Sequence, residues 1–142
     1  MKNFISSKNV VTVSILWFLV IFMLAMIIFS YQKNTSSLVT VIIISLVVSL
    51  IVWVLLDTRY VIKNNNLLYR SGPFRGRIAI SKIKSISYFS GLNIPVNSKP
   101  ALDTKGYIIR YNNYDDIYVS PKLKDNFLAE LLKINPDILV TD

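Results

Sequence analysis

The sequence contains no cysteine and no histidine. Disulfides, thiolate nucleophiles, histidine-ligated haem and zinc sites of the usual Cys/His kind are therefore excluded. With histidine go the commonest general base and every Ser-His-Asp triad. The missing cysteine says nothing about compartment, because it withholds redox evidence in either direction. Charged residues are few, 17% against 53% hydrophobic, and the two classes are segregated along the 142 residues. Acid is scarcest in the first part of the chain. Before residue 102, eleven Lys and Arg face Asp57 alone, and beyond it five face seven acids, for a net charge of +8. Basicity is local, concentrated in Arg59, Lys63, Arg70, Arg75, Arg77, Lys82 and Lys84.

Two long apolar runs hold no charge at all. Val10 to Phe29 gives twenty residues and Leu38 to Leu56 nineteen. At about 1.5 Å of rise per residue each covers about 30 Å, the thickness of a bilayer's hydrocarbon core. A helix satisfies its own backbone polar groups in lipid, so residues 1–56 are expected to form a transmembrane hairpin, with Tyr31 to Ser37 as a short polar connection. A cleaved signal peptide fits less well: the first run is longer than an ordinary apolar core of such a peptide, no small-x-small site follows it, and a second span comes soon after. Lys2 and Lys8 before the first span, Lys33 alone in the connection and the dense basic run after the second predict a multi-pass cell-membrane protein with both termini cytoplasmic. Trp53 and Tyr31 are expected at the interfaces and Trp17 deeper. Thr40, Ser45 and Ser49 are expected to let the two helices pack; no ionisable residue in either span suggests a solute path.

From Thr58 the hydrophobic period becomes two. Thr58 to Lys63 and Leu67 to Ser71 read as strands around an Asn64-Asn65-Asn66 turn. Gly72-Pro73 breaks the second strand, Arg77 to Ile80 resumes, and Ile83 to Phe89 alternates with Ile83 and Ile86 facing inward. Ser90 to Pro100 reads as irregular. Tyr107 to Tyr111 and Asp116 to Val119 flank a turn at Asn112-Asn113. Ser120-Pro121 is expected to start a helix, as cap and first-turn proline, carrying Leu123, Phe127, Leu128, Leu131 and Ile134 on its core face until Pro136 ends it. Residues 57–142 are thus a small antiparallel β-barrel or sandwich plugged by a C-terminal helix, giving a membrane-anchored α+β protein.

The succession Asp57-Thr58-Arg59-Tyr60-Val61-Ile62, Leu67-Leu68-Tyr69-Arg70-Ser71-Gly72-Pro73-Phe74, Ile80-Ser81-Lys82-Ile83-Lys84-Ser85-Ile86, Pro100-Ala101-Leu102 and Val119-Ser120-Pro121-Lys122, then Phe127 and Asn135-Pro136, resembles the bacterial pleckstrin-homology-like family of the sublancin immunity protein SunI and YyaB. The likeness covers roughly residues 57 to 137, and the ordered set is far more specific than any one motif. It implies a pleckstrin-homology-like barrel with a C-terminal helix, a membrane-tethered setting and no catalysis. Where the family is expected to carry an Asp-Arg pair soon after Pro-Ala-Leu, this chain has Lys105-Gly106, so a role for such an arginine does not carry over.

The seven basic residues from Arg59 to Lys84 are the candidate contact with a bilayer and its anionic head groups, where each contributes about 1 kcal/mol of attraction. Positive charge beside a span is also what topology alone requires. Gly72-Pro73-Phe74-Arg75-Gly76-Arg77 lacks the phosphate-loop pattern, and a strand connection explains both glycines. Asp115-Asp116 reads as a solvated turn, because neighbours on a strand point to opposite faces. Catalytic residues, metal ligands and cofactors are not expected, and tethering to a bilayer argues against nucleic acid as partner. Two functions are carried forward: a non-enzymatic membrane-anchored interaction module, which the resemblance links to immunity against a membrane-active peptide toxin, and an accessory or scaffold subunit of a larger membrane assembly such as a transporter.

Overall fold

The computed structural model describes residues 2–33, 37–91, 93, 96 and 100–141. Both apolar runs are helical, α1 over Val10–Gln32 and α2 over Leu38–Leu56, and both are long and apolar enough to cross a membrane. α1 continues a turn past Phe29, since nothing in Ser30-Tyr31-Gln32 breaks a helix, and Lys33 N–H closes onto Phe29 O at 3.2 Å. Its start is capped by Asn9, whose side-chain oxygen accepts from Val11 N–H at 2.8 Å. A core helix of a water-soluble protein would be mostly covered, whereas only 6% of each apolar window is buried here.

Positions of reduced exposure include Val13, Leu16, Val20, Met23 and Ile27 of α1 and Val41, Ile44, Val48, Ile51 and Leu55 of α2, with Thr12, Ser30, Val52 and Val54 also partly covered. This alternating three-and-four spacing marks a coiled-coil-like seam between two helices that touch. Thr40, Ser45 and Ser49 are exposed and lie off that seam, so the expectation that they bring the two helices together is not met. Branched and long aliphatic side chains fill the contact instead.

The remaining elements form two four-stranded sheets. The first has order β1-β2-β3-β4, with β1 Lys2–Ile5, β2 Arg59–Lys63, β3 Asn66–Ser71 and β4 Phe74–Ala79, all antiparallel. A 3-10 turn at Ile80–Lys82 leads into the second, of order β7-β6-β5-β8, with β5 Ile83–Ser90, β6 Lys105–Tyr111, β7 Asp115–Val119 and β8 Leu139–Thr141, the last parallel to β5. Asn64 and Asn65, with φ of 50° and 57°, make the two-residue left-handed turn between β2 and β3. Gly72, at φ 56°, turns β3 into β4. Tyr60, Leu67 and Ile78 of the first sheet meet Ile83, Ile86, Ile109 and Ile117 of the second, and α3, Lys124–Ile134, closes the core with Phe127 and Leu131.

Four features differ from the sequence-based expectation. Residues 2–5, expected as a basic flank of the first span, are a strand of the domain, and Phe4 packs edge-on against Phe127 at 5.2 Å. The strand expected to resume at Arg77 begins at Phe74, so Arg75 and Gly76 belong to β4 and only Gly72 serves the turn. α3 starts at Lys124, because Ser120 and Pro121 are held extended: Pro121 bridges Ser6, Lys122 N–H donates to Ile5 O at 2.9 Å, and Leu123 is left exposed. β8 was unforeseen. Most of the expected Ser90 to Pro100 irregular stretch lies outside the described residues.

Candidate functional site

Strand alternation sorts the basic residues. On β2 and β3, Tyr60, Ile62 and Leu67 turn inward, which leaves Arg59, Val61, Lys63, Asn66, Leu68 and Arg70 on the outer face. Register then places Ile5, Arg59, Arg70 and Arg75 on one transverse row across the four strands, and Asn3, Val61, Leu68 and Arg77 on the next. Arg59, Lys63, Arg70 and Arg75 line one shallow groove of ≈ 500 Å³ whose middle is Val61 and Leu68.

The arginine row sits at the end of the sheet next to α2. Only Asp57 and Thr58 separate α2 from β2, and Thr58 Oγ1 donates back to Val54 O at 2.7 Å. The β3–β4 turn reaches the same place: a Cβ added to Gly72 would lie 2.8 Å from Val54 Cγ2. Phe74, just after the turn, is 67% exposed, and Ile5 on the arginine row 66%. The opposite end of the sheet carries Lys63, about 13 Å along the strand from Arg59 at 3.3 Å per residue.

Asp57 organises the row. Its carboxylate accepts from Trp53 Nε1 at 3.3 Å, pairs with Arg59 Nη2 at 3.4 Å and contacts Arg70 Nε. Among the described residues, no carboxylate lies within ion-pair distance of Arg75. Sequence reading missed the role of Asp57, although its standing as the lone acid before residue 102 was a usable clue. The other basic residues separate. Arg77 and Lys82 border a depression with Tyr111 and Asn112, and Lys84, on the second sheet, donates to Asn113 Oδ1 at 3.0 Å. The seven are thus one four-residue groove and three outliers. Asp115, of the acid pair, accepts from Asn112 Nδ2 at 2.7 Å within its own hairpin.

The start of α1 is fixed to the same domain. Ser7 N–H donates to Ser120 O, Asn9 N–H to Leu102 O at 3.0 Å, and Asn9 Nδ2 to Thr104 Oγ1 at 3.1 Å. Beneath them Tyr60 OH donates to Pro100 O at 2.7 Å and accepts from Ser120 N–H at 3.1 Å. Burial pushes the Tyr60 phenol above its ordinary pKa and outweighs its hydrogen bonds to Ser6 and Ser120. Burial would also raise the Asp103 carboxyl, but donation from Ser7 Oγ at 2.5 Å and from backbone N–H groups of Lys105 and Thr104, with Lys124 nearby, holds it below its ordinary value.

A family model described as a bacterial PH domain matches residues 58–135. Among curated proteins and among solved structures no match to the chain is found. The matched stretch runs from the start of β2 to the end of α3 and contains the whole arginine groove apart from its Asp57 counter-ion and the β1 edge. With more than half its length covered and two apolar helices ahead of two sheets and a closing helix, the chain belongs to the bacterial PH domain family.

Proposed function

We propose that this protein is a non-enzymatic, membrane-anchored interaction module whose PH domain is held against the cytoplasmic leaflet with its arginine groove at the lipid surface. The observation that carries the reading is the junction itself. A two-residue link joins α2 to β2, and Arg59, Arg70 and Arg75 gather at that end of the sheet, beside Trp53 and the exposed Phe74. Cations at that level feel an anionic leaflet, and Lys63, about 13 Å farther along the strand, lies beyond a Debye length of about 8 Å at physiological salt. The basic flanks of the spans support both termini lying on the cytoplasmic side. A reporter fused after residue 142 tests this: activity only on the outer side would reverse the topology and remove the reading.

The finer function we favour is self-protection against a membrane-active peptide, on the strength of the sequence likeness to the family of SunI and YyaB. Expression in a strain sensitive to a panel of such peptides should reduce killing by at least one, and unchanged killing throughout removes immunity while leaving the anchored module. A second reading has its own observation. Ser45 and Ser49 lie one turn apart on α2, exposed and off the α1 seam, as expected of a helix that packs on a further membrane partner. Cross-linking in native membranes that yields a stoichiometric heterologous product would favour a subunit of a larger assembly.

A further inference from the structure

We infer that the outer face of β2–β4 beside α2 is a headgroup subsite that takes the phosphodiester of an anionic membrane lipid between Arg70 and Arg75, with Val61 and Leu68 behind it. The inference rests on the membrane-anchored reading and deepens it from general attraction to a defined site. Topology alone asks for positive charge in the flank of a span, and any scatter of lysines and arginines would supply it. This chain instead stacks Arg59, Arg70 and Arg75 directly opposite one another on adjacent strands, an arrangement that costs stability because like charges on cross-strand partners repel.

Asp57 offsets part of that repulsion by holding Arg59 and Arg70. One carboxylate against three guanidiniums leaves the row two charges in excess, and Arg75 is exposed with no acid in range among the described residues. A guanidinium fork suits two oxygens of a phosphate. The groove of ≈ 500 Å³ is roomy enough for a headgroup, and its apolar middle fits a glycerol backbone better than a free ion. Its continuity with α2 through Asp57, Thr58 and the Gly72 turn commits it to a lipid of the leaflet in which the helix ends.

Trp53, whose indole donates to Asp57, reports on the site. The full chain carrying Trp17→Phe, reconstituted in phosphatidylcholine vesicles with a minor fraction of phosphatidylglycerol, is compared with bromine placed high on the acyl chains of one lipid or the other. Brominated phosphatidylglycerol should quench Trp53 beyond its share of the bilayer. Arg75→Gln, an exposed change, should cut that enrichment about fivefold, the ratio equivalent to ~1 kcal/mol per basic residue at an anionic surface. Lys84→Gln should leave it intact, and Asp57→Asn, which frees Arg59 and Arg70, should raise it. Quenching by both lipids in proportion to their abundance, or an excess that survives Arg75→Gln, overturns the subsite and leaves the anchored reading standing. An excess erased by millimolar inorganic phosphate reassigns the groove to a free anion and overturns the lipid assignment. Quenching by neither lipid overturns the anchored reading itself.

Discussion

The Tyr60 hydroxyl lies 3.1 Å from the backbone nitrogen of Ser120, so one buried phenol ties the strand that leaves α2 to the segment that precedes α3. The same oxygen donates to Pro100 O at 2.7 Å, and Ser6 Oγ sits 3.0 Å from Ser120 Oγ. Both ends of the helical hairpin therefore converge on one hydrogen-bonded knot. Tyr60→Phe keeps the ring in the core and strips these partners, leaving a buried N–H and a carbonyl unsatisfied. The expected loss is about 2 kcal/mol. Urea unfolding of the full chain in detergent, with an unchanged slope, checks it, and a loss below about 0.5 kcal/mol would mean that the knot adds nothing.

Two glycines predict different failures. A Cβ on Gly106 would collide with Val119 O and, at 2.9 Å, with the Tyr118 ring, so Gly106→Ala should destabilise by about 1–3 kcal/mol through overpacking of β6 against β7. Gly72→Ala meets both a left-handed φ of 56° and Val54 Cγ2 on α2. Adding Val54→Ala should recover the contact part of that loss and leave the backbone part of about 1 kcal/mol. Val54→Ala should do nothing for Gly106→Ala, and rescue of both by the same change would argue against a specific contact between α2 and the β3–β4 turn.

Acid sensitivity should trace to Asp103 and Glu130. Hydrogen bonds from Lys2 and Lys133 lower the Glu130 carboxyl, and Asp103 is lowered despite the opposing effect of burial. A carboxyl whose folded pKa lies below its unfolded one contributes stability that is fully present above the unfolded value and lost as pH falls through the folded one. From ordinary values of 4.5 and 3.8, melting temperature should hold level above about pH 5 and fall below it. Asp103→Asn keeps an acceptor for Ser7 and removes the charge. Its deficit against the unchanged chain should be visible at pH 7 and close as pH drops. A gap that stays constant from pH 7 to pH 3 would remove Asp103 from the acid limb.

The helices were legible because continuous apolar runs leave a chain few alternatives. Ile83 and Ile86 do both face inward, but they are three residues apart, and a register shift between Ile83 and Ser85, not plain alternation, puts them on the same side. The arginine row was nearly legible. A two-residue turn at Asn64-Asn65 pairs Lys63 with Asn66, hence Arg59 with Arg70, and a two-residue turn at Gly72-Pro73 pairs Ser71 with Phe74, hence Arg70 with Arg75. Reading Asn64 to Asn66 as the turn and resuming the strand only at Arg77 hid both registers. β1 and β8 were beyond reach for another reason. Each is a strand of three or four residues whose pairing partners lie far along the chain, and nothing local marks them. The Ser120-Pro121 cap signal misled because tertiary hydrogen bonds to Tyr60 and Ser6 outcompeted the helix for the same groups.

The most exacting test of the chain's organisation lies in that first strand. Phe4 is 7% exposed and packs on Phe127, whereas Ile5, its neighbour, is 66% exposed on the arginine row. If residues 2–5 were only a basic flank of the first span, truncating either side chain would leave the domain indifferent. As a paired strand they must obey period two. Phe4→Ala opens a cavity above α3 and should cost about 3 kcal/mol, read as a lower urea midpoint and earlier proteolysis after α3. Ile5→Ala should stay within about 0.5 kcal/mol. Equal effects at the two positions would mean that β1 is not part of the folded domain, and with it would go the attachment of α1 through Ser7 and Asn9.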